Sequence, residues 1–287
     1  TNIKFGVVDE SGVISRGEIP TEVEMGADSI TLKLEKIIND AKDEFDIKAV
    51  GIGVPGLVDK SQKVVIDCKN LFWKNLPLGI TLEENTGVKV FMGNDANMAT
   101  IAEHSFGNLK DVDNGILLTL GTGVGGGVVI DGNIYRGSNG LGFEVGHMKI
   151  NGEGYPCNCG RKDCFETYSS ATALIRYFNS EYNEKITEAK EVFDLFKSGD
   201  RKGIEAIQWY LEHLADGIVN LINLFDPEII ILAGGVSKAF NSFEELLDKK
   251  IKEKIFTDQI DIAKILRSKL DNDSGILGSA MLAKGEN

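Results

Sequence analysis

A chain of 287 residues with 42% hydrophobic and 26% charged side chains and five prolines can bury a large core, in one large domain or two lobes, and leaves little room for long disorder. A formal charge of -13 without any basic cluster excludes a surface built for duplex nucleic acid, whose phosphates such a field repels. No membrane association is expected either, since the apolar run Gly217 to Gly234 is broken by Asp226, Pro227 and Glu228 and falls short of the ~20 residues of a span.

In chain order, Ile3 to Val8 and Val13 to Ile19 flank the turn Asp9-Glu-Ser-Gly12 and predict a β-hairpin. Ala27 to Phe45 carries Ile30, Leu32, Leu34, Ile37, Ile38 and Ala41 at helical spacing. Lys48 to Val54 reads as a buried strand ending at the turn pair Pro55-Gly56, and Lys63 to Asp67 as a further short strand. Leu78 to Thr86 predicts a helix, Val88 to Met92 a strand and Ala96 to Phe106 a helix, so Asn94 and Asp95 fall where a strand's carboxyl end meets a helix start. Ligands of open α/β sheets bind at such places.

The second half repeats the theme. Gly115 to Leu120 predicts a strand, Gly121 to Gly127 a glycine loop, and Gly127 to Tyr135 a second strand turning at Asp131-Gly-Asn133. Further on, Glu205 to Phe225 is expected as a helix, Glu228 to Leu232 as a strand, Gly234-Gly235 as a tight turn and Lys238 to Ile255 as a helix. Strand hairpins recurring with αβ units in each half suggest a duplicated, two-lobe α/β architecture.

Three constellations carry chemistry. Gly121-Thr-Gly123-Val-Gly-Gly126 fits GxGxxG, yet a strand rather than a helix is expected next and no Walker lysine follows, which excludes the dinucleotide and P-loop readings. Its backbone amides can still cradle phosphate, or the glycines can serve only a tight hairpin. His147, Cys157, Cys159 and Cys164 offer one nitrogen and three thiolates within 18 residues, the donor set of a closed, structural tetrahedral zinc. Clustered thiols of this kind point to a metal site in a reducing compartment, the cytoplasm, rather than to a disulfide framework; Cys68, remote from them, reads as a buried small hydrophobe. Asn94-Asp95 is an ordinary helix cap on its own, and a general base only if a phosphate site faces it.

Taken jointly, Thr1-Asn-Ile-Lys4, Gly51-Ile-Gly-Val-Pro-Gly56, Gly93-Asn-Asp-Ala-Asn97, Leu118 to Gly126, Glu144 to His147, Cys157 to Glu166 and Ile231-Leu-Ala-Gly-Gly-Val236 resemble the ROK family of sugar kinases and repressors, within it most closely the bacterial glucokinases. The resemblance implies an actin-like, hexokinase-like (ribonuclease H-like) fold of two lobes around a central cleft. The smaller lobe would hold residues 1–108 and a C-terminal helix 273–287, the larger one residues 109–272 with the zinc loop. Activity would be transfer from MgATP to the 6-hydroxyl of a hexose, glucose first, with Asp95 as general base. Asn94, Asp95, Glu144, His147 and Glu166, with the Pro55-Gly56 loop, match sugar-binding positions. Thr1 and Lys4 match the first phosphate motif, Thr122 and Gly123 the second, and Gly234 with Gly235 the adenosine turn. His147 would serve both zinc and sugar, one ring nitrogen for each. Small-molecule hexose and ATP are the implied partners, and the family's habit is a homodimer or homotetramer. N-acetylmannosamine or N-acetylglucosamine kinases share the motifs, and family repressors share the domain.

Two departures from the family pattern stand out. Its first phosphate motif is Asp-x-Gly-Gly-Thr after an interior strand, and this chain starts at what resembles the threonine, so about ten further residues are expected upstream. Asp163 and Phe165 occupy positions where glucokinases usually carry Gly and Leu.

Overall fold

In the computed structural model, which describes residues 2–140, 142–257, 259, 261–270 and 273–285, the chain divides into two units. Thr1–Lys110, Asn133–Gly142 and Leu270–Asn287 form the first, Asp111–Gly132 and Phe143–Lys269 the second. Among the described residues no helix is long and apolar enough to cross a membrane.

The chain opens with the expected hairpin, β1 (Asn2–Asp9) and β2 (Gly12–Pro20), and continues into α1 (Gly26–Glu44), which buries Ile30, Thr31 and Ile38. β3 (Ala49–Val54) follows, then a small antiparallel meander of β4 (Leu57–Val58), β5 (Val65–Cys68) and β6 (Trp73–Leu76). Of these three only β5 is legible as a strand, because β4 has two residues and β6 is split by Lys74 and Asn75. α2 (Leu78–Thr86) stops at Gly87, whose φ of 71° closes the helix through a bond to the Glu83 carbonyl. β7 (Lys89–Asn94) then leads directly into α3 (Asp95–Phe106).

β8 (Gly115–Leu120) and β9 (Val124–Ile130) form an antiparallel pair, and β10 (Asn133–Ile134) returns the chain to the first unit. The glycine stretch is therefore shorter as a loop than expected. Gly125, Gly126 and Gly127 lie in β9 opposite Thr119, Leu118 and Leu117, and only residues 121–123 turn. Gly126 is glycine for packing reasons, since a Cβ would come within 2.6 Å of the Leu117 carbonyl oxygen and 2.9 Å of the Phe143 ring.

Helices α4 (Glu166–Ser169), α5 (Ala171–Tyr182), α6 (Ala189–Lys197) and α7 (Arg201–Phe225) come next. α7 is the core of the second unit. It starts at Asp200, whose carboxylate accepts from the Gly203 amide at 3.1 Å, and ends at Asp226 in a left-handed conformation ahead of Pro227. Its buried Leu211, Leu214, Ile218, Leu221 and Ile222 recur every three or four residues and meet Ile116, Leu118, Ile230 and Leu232 of the sheet. Truncating one such leucine to alanine would cost about 2–5 kcal/mol. β11 (Ile229–Ala233) pairs parallel with β8, with Ala233 opposite Thr119. Where one helix was expected from Lys238 to Ile255, a 3-10 stretch (Val236–Ser242) precedes α8 (Glu244–Lys254), divided by the buried Phe243. β12 (Lys264–Arg267) pairs parallel with β11, so the second unit's strand order runs β9-β8-β11-β12.

α9 (Ser274–Lys284) closes the first unit. It lies so near β3 and α3 that a Cβ on Gly51 would overlap the Ser279 backbone, and one on Gly278 the Met98 backbone. β3 and β7 form one parallel ladder, Ala49 opposite Lys89 through Val54 opposite Asn94, separate from the β1–β2 hairpin among the described residues.

Candidate active site

In the first unit, the register of β3 and β7 brings their carboxyl ends side by side, with Val54 opposite Asn94. Pro55-Gly56 and Asn94-Asp95 follow from those ends. Asn94 is the N-cap of α3, its Oδ1 accepting from the Ala96 amide at 2.9 Å, and its Nδ2 donates to the Gly56 carbonyl at 3.3 Å. The capping role expected for this pair thus falls on Asn94. Asp95, the first residue of the helix, is exposed, and one carboxylate oxygen accepts from the same Ala96 amide at 2.9 Å. A carboxylate in the first helical turn is favoured as an anion by the helix dipole.

Cys68 is buried, as its sequence setting suggests, but it is not idle packing. Its thiol donates to the Pro55 carbonyl at 3.3 Å, and a Cβ on Gly56 would approach the Cys68 Cβ to 2.8 Å. Burial pushes the Cys68 thiol up, and the nearby Asp95 charge adds to the shift. The backbone of the Pro55-Gly56 turn is therefore held from two directions, by Cys68 and by Asn94.

The second unit repeats this geometry with glycines. β8 and β11 are parallel neighbours, so the loop at residues 121–123 and the turn Gly234-Gly235 leave adjacent strand ends. Gly234 has a φ of 87°, and its missing Cβ would lie 2.6 Å from the Leu120 carbonyl oxygen, which accounts for a glycine there. Gly121 and Gly235 differ from it. Neither has positive φ, and a Cβ on either would meet nothing within 4 Å, so folding does not call for glycine at these two positions. The backbone at both positions is open.

The candidate metal-ligating residues sit on a knuckle whose two arms are joined by short bridges, Lys149 with Cys164 and Pro156 with Lys162. The Arg161 guanidinium donates to the His147 carbonyl at 2.7 Å and ties the arms at the ligands themselves. One donor atom from each of His147, Cys157, Cys159 and Cys164 lies within 4.8 Å of the others. The sulfurs of Cys159 and Cys164 are 3.6 Å apart, and Cys157 Sγ is 3.7 Å from His147 Nδ1. A tetrahedral ion with bonds of about 2.3 Å sets ligand-to-ligand edges of about 3.8 Å, so the four donors fit a metal. All four cysteines are free thiols. Without a cation the trio is in conflict: the exposed Cys159 is pulled down to about 6 by the Arg161 backbone amide, whereas burial pushes Cys164 up to about 12 and raises Cys157. A dication held by these residues would resolve that conflict by keeping all three as thiolates.

Around the knuckle, Glu144 is exposed and precedes the 3-10 turn Val145–His147, while Glu166 opens α4 half-buried, with its Oε2 accepting from the Val124 amide at 3.1 Å. With Nδ1 of His147 turned to the sulfurs, its second ring nitrogen is left for another partner. Asp163 explains one family departure. Its φ of 65° is where glycine is at ease, and its buried carboxylate offsets the strain by accepting from the Gly154 amide at 2.7 Å, the Tyr155 amide at 3.1 Å and the Tyr168 hydroxyl at 2.7 Å. Phe165 is fully buried against Gly217 of α7, where a Cβ would overlap its ring.

The predicted residues thus fall into groups. Pro55, Gly56, Asn94 and Asp95 come together in the first unit; Gly123, His147, Glu166 and the three cysteines gather in the second, with Glu144 joined to His147 through its backbone carbonyl, Thr122 in the glycine loop and Gly234 and Gly235 at the neighbouring strand end. Lys4 stands in β1 opposite Glu18, and Thr1 lies outside the described residues. Cys68, Gly146 and Asp163 take part without having been singled out as working residues, and only Asp163 left a trace in the sequence, as an acid in place of glycine.

Comparison with known proteins shows the family. The model of the ROK family matches residues 1–286. The glucokinase of Thermotoga maritima is 33% identical, over 99% of this chain and 94% of its own. A crystal structure of a ROK family glucokinase from Streptomyces griseus in complex with glucose and AMPPNP superposes with a TM-score of 0.87 at 30% identity, covering 99% of this chain and 96% of that one. The xylose repressor of Bacillus subtilis is 30% identical over 83% of this chain but only 61% of its own length.

Proposed function

The chain belongs to the ROK family, and on that footing we propose that it is an ATP-dependent hexose kinase that phosphorylates the 6-hydroxyl of glucose. Gly121 and Gly235 carry the reading: glycines that folding does not require, at the ends of parallel neighbours β8 and β11, give phosphate and adenosine access to bare backbone. Thr122 and Gly123 present the loop to the phosphates, with Gly234 and Gly235 at the adenosine. Lys4 and Thr1 are assigned to phosphate by family resemblance alone.

Asp95 is assigned as the general base. Its exposed carboxylate, at a helix start where the anion is favoured, takes the proton as the 6-hydroxyl attacks the γ-phosphoryl group. By family resemblance Asn94 and the Pro55-Gly56 turn of the first unit, and Glu144, His147 and Glu166 of the second, are assigned to sugar hydroxyls. The Mg2+ that accompanies ATP spreads the charge of the transferring group. Zinc is the metal assigned to His147, Cys157, Cys159 and Cys164, on the strength of a sulfur-rich, closed tetrahedral donor set, and it serves as scaffold for Glu144, His147 and Glu166. Four free thiols support a reducing, cytoplasmic setting.

A coupled ADP-release assay with glucose, N-acetylmannosamine, N-acetylglucosamine and fructose tests the reading. Turnover highest with glucose is expected. Preference for an N-acetylated sugar would move the assignment to a hexosamine kinase, and no turnover with any of the four would leave a sugar-sensing regulator.

A further inference from the structure

The metal knuckle and the glycine loop are adjacent in the second unit, and the contacts between them are specific. Past the last cysteine, the chain grips the loop three times. Glu166 Oε2 accepts from the Val124 amide at 3.1 Å, the Ala171 amide donates to the Gly121 carbonyl at 2.7 Å, and the Thr172 hydroxyl donates to the Thr122 carbonyl at 2.8 Å. From the histidine arm, Gly146 presses on the same strand end, so that a Cβ there would overlap the Val124 carbonyl oxygen. Gly123 in turn has no room for a Cβ because the Glu166 carboxylate occupies it. The start of β9 is thus clamped between the residue before one metal ligand, His147, and the residue two beyond another, Cys164.

We propose that the knuckle positions the glycine loop through Glu166, so that loss of the metal or of this carboxylate loosens residues 121–124 and weakens nucleotide binding even with no sugar present. Glu166 is then a positioning residue for the nucleotide in addition to its hydroxyl contact with the sugar. The inference rests on the reading of residues 121–123 as a phosphate loop. Its physical basis does not depend on that reading: a hydrogen bond from a buried amide to a carboxylate is among the stronger single ties a loop can have.

The test uses the full chain in four forms: native with metal, metal-stripped by chelation, Glu166→Ala and Glu166→Gln. Exchange of the Val124 amide is followed together with that of Leu214 in α7, which reports unfolding, and the affinity for AMPPNP is measured without sugar. Expected are Val124 exchange faster by about tenfold or more in the stripped and Glu166→Ala proteins, beyond any change at Leu214, and nucleotide affinity about tenfold lower. Glu166→Gln keeps a weaker, neutral carbonyl acceptor and should restore part of both, while still losing affinity for glucose. Thr172→Val, which removes one tie, should give a smaller effect in the same direction and stands in if Glu166→Ala fails to fold. Native exchange rates at Val124 in the stripped and alanine proteins would overturn the brace. A native protein that binds AMPPNP neither with nor without glucose would overturn the phosphate-loop reading and the nucleotide half of the proposal, whatever the exchange rates show.

Discussion

Each unit places its working loops at the carboxyl ends of two parallel, hydrogen-bonded strands, β3 with β7 in the first and β8 with β11 in the second. What holds those loops differs. In the first unit the turn after β3 is secured by side chains, Asn94 on the Gly56 carbonyl and Cys68 on the Pro55 carbonyl. In the second the loop after β8 carries one side chain, Thr122, and is held from neighbouring segments, by Glu166 on the Val124 amide, Ala171 on the Gly121 carbonyl and Thr172 on the Thr122 carbonyl. Within the loop the Gly121 amide donates to the Gly123 carbonyl at 3.0 Å, and most of the restraint comes from neighbouring segments. Under the proposed zinc assignment, the metal would brace the knuckle as the knuckle braces the loop.

If the first strand-end pair supplies the general base and the second binds nucleotide, mutations should separate along that line. The largest effect is expected from Asp95→Asn, which should lower kcat by about 10²- to 10⁴-fold while glucose affinity, read by titration calorimetry, stays near native. Near-normal turnover would remove Asp95 from its role. Next comes the metal. The protein should contain about one mole of zinc per chain, and chelation should lower both Tm and activity; a metal-free protein that is stable and active would break the scaffold assignment. Because burial holds the Cys157 and Cys164 thiols up when no cation is present, protons compete with the metal, and its affinity should fall as pH falls.

Two glycines of one loop sharpen the comparison further. Gly123→Ala must displace the Glu166 carboxylate and should cost about 1–3 kcal/mol of stability as well as nucleotide affinity. Gly121→Ala has open space and ordinary φ, and should leave stability within about 0.5 kcal/mol while raising the KM for ATP. Equal losses of Tm in the two variants would remove the distinction between a packed and a ligand-facing glycine. The smallest effect is reserved for a site far from any loop. Glu212 of α7 is held down to about 2 by Lys250 and Lys254 of α8. Its folded value is below the ordinary 4.5, so its contribution is present above that pH and is lost as pH falls toward 2. The carboxylate is 46% exposed, so Glu212→Gln should cost well under ~1 kcal/mol at neutral pH, and the difference in Tm should vanish near pH 2.

Much of this was readable in residues because strand ends and motifs coincide. Lys48 to Val54 and Val88 to Met92 were expected as strands leading into Pro55-Gly56 and Asn94-Asp95, and β3 and β7 do so. The Cys-x-Cys spacing with His147 likewise carried its chemistry openly, since ligand type and density are local properties. Features that depend on distant backbone were hidden. Five glycines in seven residues read as one long loop, but the register with β8 draws three of them into β9. Nothing in Gly146 or Cys68 announces that one presses on Val124 and the other ties Pro55, because both contacts form only when separate segments meet. β4, two residues long, is created by its partner β5 and not by its own pattern. Asp163 lies between these cases: an acid in place of the family's usual glycine marked the position, while its left-handed φ and three compensating hydrogen bonds needed the fold to be seen.

The decisive measurement is the product of one reaction. Metal-loaded protein incubated with MgATP and uniformly labelled glucose is examined by carbon and phosphorus NMR. Phosphorus coupled to the C6 carbon, in amounts matching ADP formed, is the expected result. Phosphorus on another carbon, ADP without phosphorylated sugar, or neither product from folded, metal-loaded protein would contradict assignment as a hexose 6-kinase.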